Sequence, residues 1–184
     1  MAYTFKTHIH NYACWTAARS VQRNFTNTQN IVKAIDATDL RRIEELNILS
    51  ENEFDSFHRK CCKQLIDNFK ITIPLQKVSC GRAAKILAIY LKTSVIIRNS
   101  GEGKLASIIH PPIDRILLTN LHKKQPKLCV NKIIWTELEE VPYFELIEKL
   151  GTLKLDKFWE IEEFWNVRDE NKDNLISSRF VVCV

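Results

Sequence analysis

Glycine and proline are scarce in this chain, four and five among 184 residues. A β-sandwich or barrel needs turn chemistry every few residues, so the scarcity disfavours one and helix is expected to dominate. No run approaches the ~18 apolar residues of a membrane span. The start, MAYTFKTHIHNYACW, lacks the basic stretch followed by an apolar one that marks a secretory leader. A cytoplasmic location with no membrane partner is therefore expected. Cys14, Cys61, Cys62, Cys80, Cys129 and Cys183 contain no C-x-x-C unit, and His58 with Cys61 and Cys62 lacks a second ligand pair. They read as reduced, mostly buried thiols, and neither metal nor cofactor is expected.

What is present is an ordinary globular composition, 45% hydrophobic and 27% charged. The expectation is one mainly α domain spanning 1–184, acting as a monomer. Charge is unevenly placed. Residues 1–136 carry 21 Lys+Arg against 10 Asp+Glu, whereas 137–184 carry 6 against 12. A basic body suits a polyanion such as nucleic acid, because phosphate contacts supply affinity through counterion release. The acidic C-terminal segment, 137–184, would then face away. A merely solvated basic surface is the plain alternative.

Helical spacing is visible in NYACWTAARSVQRNF (11–25), with a second helix after Thr26 or Asn27 through Ile31, Ala34 and Ile35. SENEF begins as a capping box, Ser50 with Glu53, and opens a helix to about Lys70 with Phe54, Phe57, Cys61, Leu65, Ile66 and Phe69 inward. GRAAKILAIYLKT is apolar around most of its circumference and reads as a central helix, and RNSGEGK as a flexible turn. IDRILLTNL is helical, HKKQPKLC breaks the chain, and TELEEVPYFELIEKLGT is a helix ended by Gly151 with Pro142 near its start or kinking it. LDKFWEIEEFW reads as a last helix, and RFVVCV as an end that docks or forms a short strand.

Two stretches carry possible chemistry. Arg82, Lys85 and Lys92 form a cationic stripe on the central helix, and Ala84, Ile86 and Leu87 surround Lys85. Partial desolvation there favours the neutral amine, a usable nucleophile. In IIHPPIDRILLTNL, Asp114 stands at the mouth of a helix. It is either a cap or a carboxylate placed for catalysis.

GRAAKILAIYL followed by IIHPPIDRILLTNL resembles the core of the helix-hairpin-helix DNA glycosylase superfamily, over about residues 52–121. In that family a hairpin glycine precedes a buried helix, and a V/P-x-D-x-x-V/I segment starts the next. The resemblance implies two helical lobes around a cleft, with Lys85 as the amine that attacks the sugar and Asp114 as the carboxylate that assists glycosidic cleavage. Their separation of 29 residues is more similar to the archaeal 8-oxoguanine glycosylase branch, and to bacterial anti-phage glycosylases that attack modified bases. The family hairpin reads L-P-G-V-G-x-K; this chain reads VSCGRAAK, with Gly81 its single glycine and Lys85 two residues later.

The resemblance also implies a partner, double-stranded DNA with a modified or damaged base, such as 8-oxoguanine or glucosylated hydroxymethylcytosine. A flipped base must be stacked and read on its edge. Trp15 is the candidate stacking group, with Arg19, Gln22 and His110 as the polar pocket residues. Gly81, Arg82, Lys92, Lys123 and Lys124 are the candidate DNA contacts. Each has a plain alternative: Trp15 as core, Arg19 and Gln22 as surface polar groups, His110 as a turn residue. Trp159 and Trp165, six apart, fall on different faces of an α-helix, so at most one caps a pocket. A catalytically inactive helical DNA-binding or interaction protein, or an unrelated helical regulator, remains open beside the enzyme.

Overall fold

The computed structural model describes residues 2–165 other than 24, 47 and 49, and among them every regular element is helical. The α-helices are α1 (Phe5–Val21), α2 (Thr28–Asp36), α3 (Glu51–Thr72), α4 (Cys80–Leu91), α5 (Lys104–Ile108), α6 (Arg115–Lys124) and α7 (Glu140–Gly151). A π-helical turn, Lys92–Ile97, continues α4, and 3-10 turns cover Asp39–Glu45, Pro126–Leu128, Trp135–Glu137 and Phe158–Phe164. No helix of the described residues is long and apolar enough to cross a membrane. The RFVVCV end lies outside the described residues.

Central placement of α4 follows from its composition. Ala83, Ile86, Leu87, Ala88 and Leu91 are fully buried, and the helix packs α1 on one side and α3 on another. α1 turns Ala13, Cys14, Ala17 and Ala18 inward, small side chains that let two backbones approach closely. α3 starts as its capping box dictates: the Ser50 hydroxyl accepts the Glu53 N–H at 3.3 Å, and the Glu53 carboxylate accepts the Ser50 N–H at 2.9 Å.

Several elements depart from the sequence expectation. The helix expected over TELEEVPYFELIEKLGT starts only at Glu140, and Trp135–Glu137 forms a separate 3-10 turn. α1 begins at Phe5, six residues earlier, because Thr4 caps it by accepting the Thr7 N–H at 3.1 Å. Its first turns are exposed and show no apolar period. RNSGEGK is a turn over 98–103 as expected, and a short helix for which no element was expected, Lys104–Ile108, follows it. Phe158–Phe164 is 3-10, not α, and this changes which side chains share a face. Phe158, Ile161 and Phe164 pack at a period of three against the core, which Trp159 also meets. Trp165 follows the turn as its C-cap. Gly101, at φ 76°, is where this segment touches the turn after the π-helical stretch: a Cβ there would meet the Trp159 ring at 2.7 Å, and the indole N–H donates to the Gly101 carbonyl at 3.3 Å.

A buried polar chain runs through the α3, α7 and His110 packing. Asp55 can only accept, so the direction is set from that end. His110 Nε2–H donates to Asp55 Oδ1 at 3.0 Å, Tyr143 O–H to His110 Nδ1 at 3.3 Å, His58 Nε2–H to Tyr143 Oη at 3.2 Å, and Cys62 S–H to His58 Nδ1 at 3.6 Å. Both imidazoles are satisfied as neutral rings. His110 is thus a core residue and not a turn residue. Burial holds the His58 imidazolium form well below its ordinary range, and His110's is lowered by burial against the pull of Asp55.

Lowered histidines make stability fall with acid. Their contribution is complete above the unfolded value of 6.5 and is lost as pH drops from there toward the folded value, because the unfolded chain binds protons that the native rings refuse. Glu162, raised by burial, works in the opposite direction. Urea unfolding from pH 7 to pH 5 should show stability decreasing, and His58→Gln should flatten the slope by up to about 1.4 kcal/mol per pH unit. A slope unchanged in His58→Gln would mean that the ring is not held neutral.

Candidate active site

Ser79 starts α4: its hydroxyl accepts the Arg82 N–H at 3.2 Å and donates to the Thr136 carbonyl at 2.7 Å. The Gly81 N–H donates to the Leu138 carbonyl at 2.8 Å. A Cβ on Gly81 would collide with the Trp135 carbonyl oxygen, so the missing side chain is what lets residues 135–138 lie across the first turn of α4. This placement differs from a phosphate contact. The Gly81 N–H and its open face are both used inside the protein.

The 135–138 segment brings Trp135 over Lys85, whose Nζ lies 4.5 Å from the ring centroid. Lys85 is in the second turn of α4, on its buried side, with 9% of its side chain exposed. Its ammonium donates to Asp114 Oδ2 at 3.1 Å. Asp114 is the N-cap of α6, and its other oxygen, Oδ1, accepts the Leu117 N–H at 2.9 Å. Cap and charge partner are therefore one residue, each role on its own oxygen. Oδ2 also accepts the Trp165 indole N–H at 2.8 Å. The side chain of Asp114 is 14% exposed, so water contributes little to its solvation.

At the start of the π-helical turn that continues α4, Lys92 is paired with Glu162 of the Phe158–Phe164 turn. Burial raises the Glu162 carboxyl above its ordinary value, Lys92 opposes the rise, and the charge of Asp114 adds to it. Lys92 thus has a carboxylate partner inside the chain, which differs from an open phosphate contact. The acidic segment does not all face away: Glu162 meets Lys92, Glu139 meets Lys77 and Glu140 meets Arg59. Arg82 sets its guanidinium 5.1 Å from the Phe25 ring centroid. Lys123 and Lys124 are exposed in the last turn of α6, where cations also complement the helix dipole.

The expected base-pocket residues are not gathered at the Lys85–Asp114 pair. Trp15 is 51% exposed and stacks on Tyr12 at 5.7 Å between centroids. Arg19 is exposed, and Gln22 accepts the Thr28 hydroxyl at 2.8 Å. No described hydrogen bond or ring contact joins these three to Lys85 or Asp114, because the inner face of α1 is spent on packing against α4. His110 instead walls a cavity of about 700 Å³ that holds Glu51, Asp55, Glu145, Glu148 and Asp156 beside Arg59. Five carboxylates there would repel a phosphate. Trp135 and Trp165, the indoles that do touch the pair, went unmarked as its partners in the sequence. The one signal for Trp165 was its spacing of three from Glu162 and of six from Trp159.

A cap alone tolerates asparagine at a cost of a few tenths of a kcal/mol, since Asn also accepts the N-cap bond. In this site Asp114→Asn leaves the Lys85 ammonium buried against an amide, which should cost about 3–5 kcal/mol in denaturant unfolding. Adding Lys85→Met to Asp114→Asn should recover much of that loss. A single-variant cost below about 0.5 kcal/mol would reduce Asp114 to a cap.

Comparison with protein-family models, with curated proteins and with solved structures finds no match to this chain.

Proposed function

We propose that this chain is a DNA N-glycosylase, with two helical lobes about the Lys85–Asp114 pair as in the helix-hairpin-helix glycosylases it resembles. The observation that carries the reading is the 3.1 Å contact of Lys85 Nζ with Asp114 Oδ2 across 29 residues, with both side chains largely withdrawn from water. Cleaving an N-glycosidic bond develops positive charge on the sugar, and a carboxylate held at a helix mouth opposes that charge without having to reorganise. Oδ1, bonded to the Leu117 N–H, keeps Asp114 in place while Oδ2 faces the reacting centre.

Asp114 also serves Lys85. A proton passes from the ammonium to Oδ2, and the freed Nζ lone pair forms a bond to C1′. The glycosidic electron pair leaves with the base, which takes that proton back from Oδ2 and so restores the carboxylate. A proton then moves from the C1′-bound Nζ to O4′ as the C1′–O4′ bond breaks, and the ring-opened protonated imine that results is the species that leads to strand nicking. Substrate reaches Oδ2 by displacing the Trp165 indole, which is 40% exposed. Trp135 and Trp165 are the flat groups beside the pair and replace Trp15 as candidates for stacking on the extruded base.

One observation favours the alternative of a helical DNA-binding or interaction protein without catalysis. Oδ1 is taken by the Leu117 N–H, and Oδ2 by Lys85 and Trp165. Double-stranded DNAs carrying 8-oxoguanine, glucosylated hydroxymethylcytosine and other modified bases separate the two readings. The glycosylase leaves abasic sites on at least one of them, and Asp114→Asn lowers that rate about 10²- to 10³-fold per folded molecule. Salt-dependent binding with no base release on any member of the panel would favour the alternative.

The DNA path is proposed to run past Arg82 and the exposed Lys123 and Lys124. Each phosphate neutralised adds about −0.9 to the slope of log affinity against log salt, so Lys123→Ala with Lys124→Ala should flatten it by up to about two units. Binding should weaken alike for every sequence, since phosphates carry no base identity. An unchanged slope would place the DNA elsewhere.

A further inference from the structure

On the face of α1 that meets the end of α2, three ligand-type side chains converge. His10 and Cys14 are one helical turn apart on α1, and Asp36 is the last residue of α2. His10 Nε2 lies 2.9 Å from Asp36 Oδ1 and 3.5 Å from Cys14 Sγ, which is also 3.9 Å from His10 Nδ1. One ligand atom from each of the three residues lies within 4.8 Å of the others. The opposite ring nitrogen, His10 Nδ1, is 2.9 Å from the Tyr90 hydroxyl.

The arrangement discriminates between two chemistries. A Cys–His–Asp relay for nucleophilic catalysis works in series, with the thiol on one ring nitrogen and the carboxylate on the other. Here the carboxylate is on Nε2, Tyr90 holds Nδ1, and the thiol lies beside the ring, 3.5 Å from Nε2 and 3.9 Å from Nδ1, not in series with the carboxylate. Three ligand atoms gathered within 4.8 Å of one another are what a metal ion requires. In a tetrahedral zinc site with Zn–S near 2.3 Å and Zn–N near 2.0–2.1 Å, the S···N edge is about 3.5 Å and the N···O edge about 3.3 Å. The Cys14–His10 separation already matches the first in length, the His10–Asp36 separation must open by a few tenths of an ångström, and the imidazole must turn so that its Nε2 lone pair points between the sulfur and the carboxylate oxygen.

We propose that His10 Nε2, Cys14 Sγ and Asp36 Oδ1 form a three-ligand site for a zinc-class divalent cation, which ties α1 to the C-terminal end of α2. Soft thiolate with imidazole selects zinc or cobalt over magnesium or calcium. On binding, Cys14 gives up its proton and His10 shifts its own from Nε2 to Nδ1. Tyr90 then accepts at Nδ1–H where it had donated, so that bond is kept. Thiolate and carboxylate together balance the two positive charges of the ion. The Arg41 guanidinium, near enough to act on both His10 and Cys14, is the cation that opposes entry. Asp36, with 47% of its side chain exposed, marks the route in and leaves the fourth position to water. The site is independent of Lys85 and Asp114.

The test uses the full chain and cobalt(II) as the probe. Wild type should bind one ion, with the near-ultraviolet absorption of a thiolate-to-cobalt transition and visible bands as intense as a tetrahedral site gives. Cys14→Ser should abolish the thiolate band, and Cys62→Ser, beside the separate His58, should keep it. Asp36→Asn, at an exposed position that leaves the core intact, should weaken cobalt binding by about tenfold or more, and Tyr90→Phe by about 10- to 100-fold. Zinc should raise the melting temperature of wild type and leave that of Asp36→Asn nearly unchanged. Absence of the band in wild type, its survival in Cys14→Ser, its loss in Cys62→Ser, or an unchanged affinity in Asp36→Asn would each overturn the site.

Discussion

Lys85 carries a charge into the most buried helix of the molecule, and its surroundings follow from that constraint. An ammonium withdrawn from water costs several kcal/mol unless a charge and hydrogen bonds replace its solvation. Asp114 supplies the charge from 29 residues away, and the Trp135 ring supplies the face. For Trp135 to reach that position, residues 135–138 must cross the first turn of α4, and this is possible because Gly81 has no side chain there. For Asp114 to reach it, the chain must enter α6 at that angle, which the cap bond to Leu117 secures. α4, α6 and the two tryptophan-bearing segments are thus tied at one polar point in an otherwise apolar interior.

The acidic C-terminal segment belongs to the same construction. Glu162 neutralises Lys92, the cation just past α4, and Trp165 closes over Asp114 from the end of the same 3-10 turn. The cationic stripe of α4 is therefore divided. Lys85 and Lys92 are balanced within the fold, and the proposed DNA path relies on Arg82 and the exposed α6 lysines instead. A glycosylase built this way would expose its carboxylate as the indole moves, so access to the site and the position of Trp165 are one variable.

Much of the helical frame is legible in the sequence, because its causes are local. The Ser50–Glu53 capping box marks the start of α3, and the apolar circumference of α4 marks its central place. Asp114 is recognisable as a cap, and its pairing with Lys85 could be raised because both stand out against apolar neighbours. Other features depend on contacts that sequence distance hides. The role of Gly81 lies in a carbonyl 54 positions later, at Trp135. Glu162 reaches Lys92 from a 3-10 turn where an α-helix was expected, and Trp165 reaches Asp114 from the residue just beyond that turn. His110, in a proline-flanked stretch, reads as a turn residue and instead ends a buried relay that Tyr143 and His58 complete. His10 and Cys14 stand at i and i+4 on one helix, a spacing that metal ligands do use, but the third ligand, Asp36, is on another helix and 22 positions beyond Cys14.

The central proposal is that Lys85 and Asp114 form a reactive pair, and borohydride reduction of any covalent protein–DNA adduct tests it most directly. Wild type incubated with modified-base DNA and borohydride should yield a covalent complex whose single modified peptide carries the sugar remnant on Lys85, and Lys85→Gln should yield none. A complex trapped at another lysine, or one that persists in Lys85→Gln, would contradict the account.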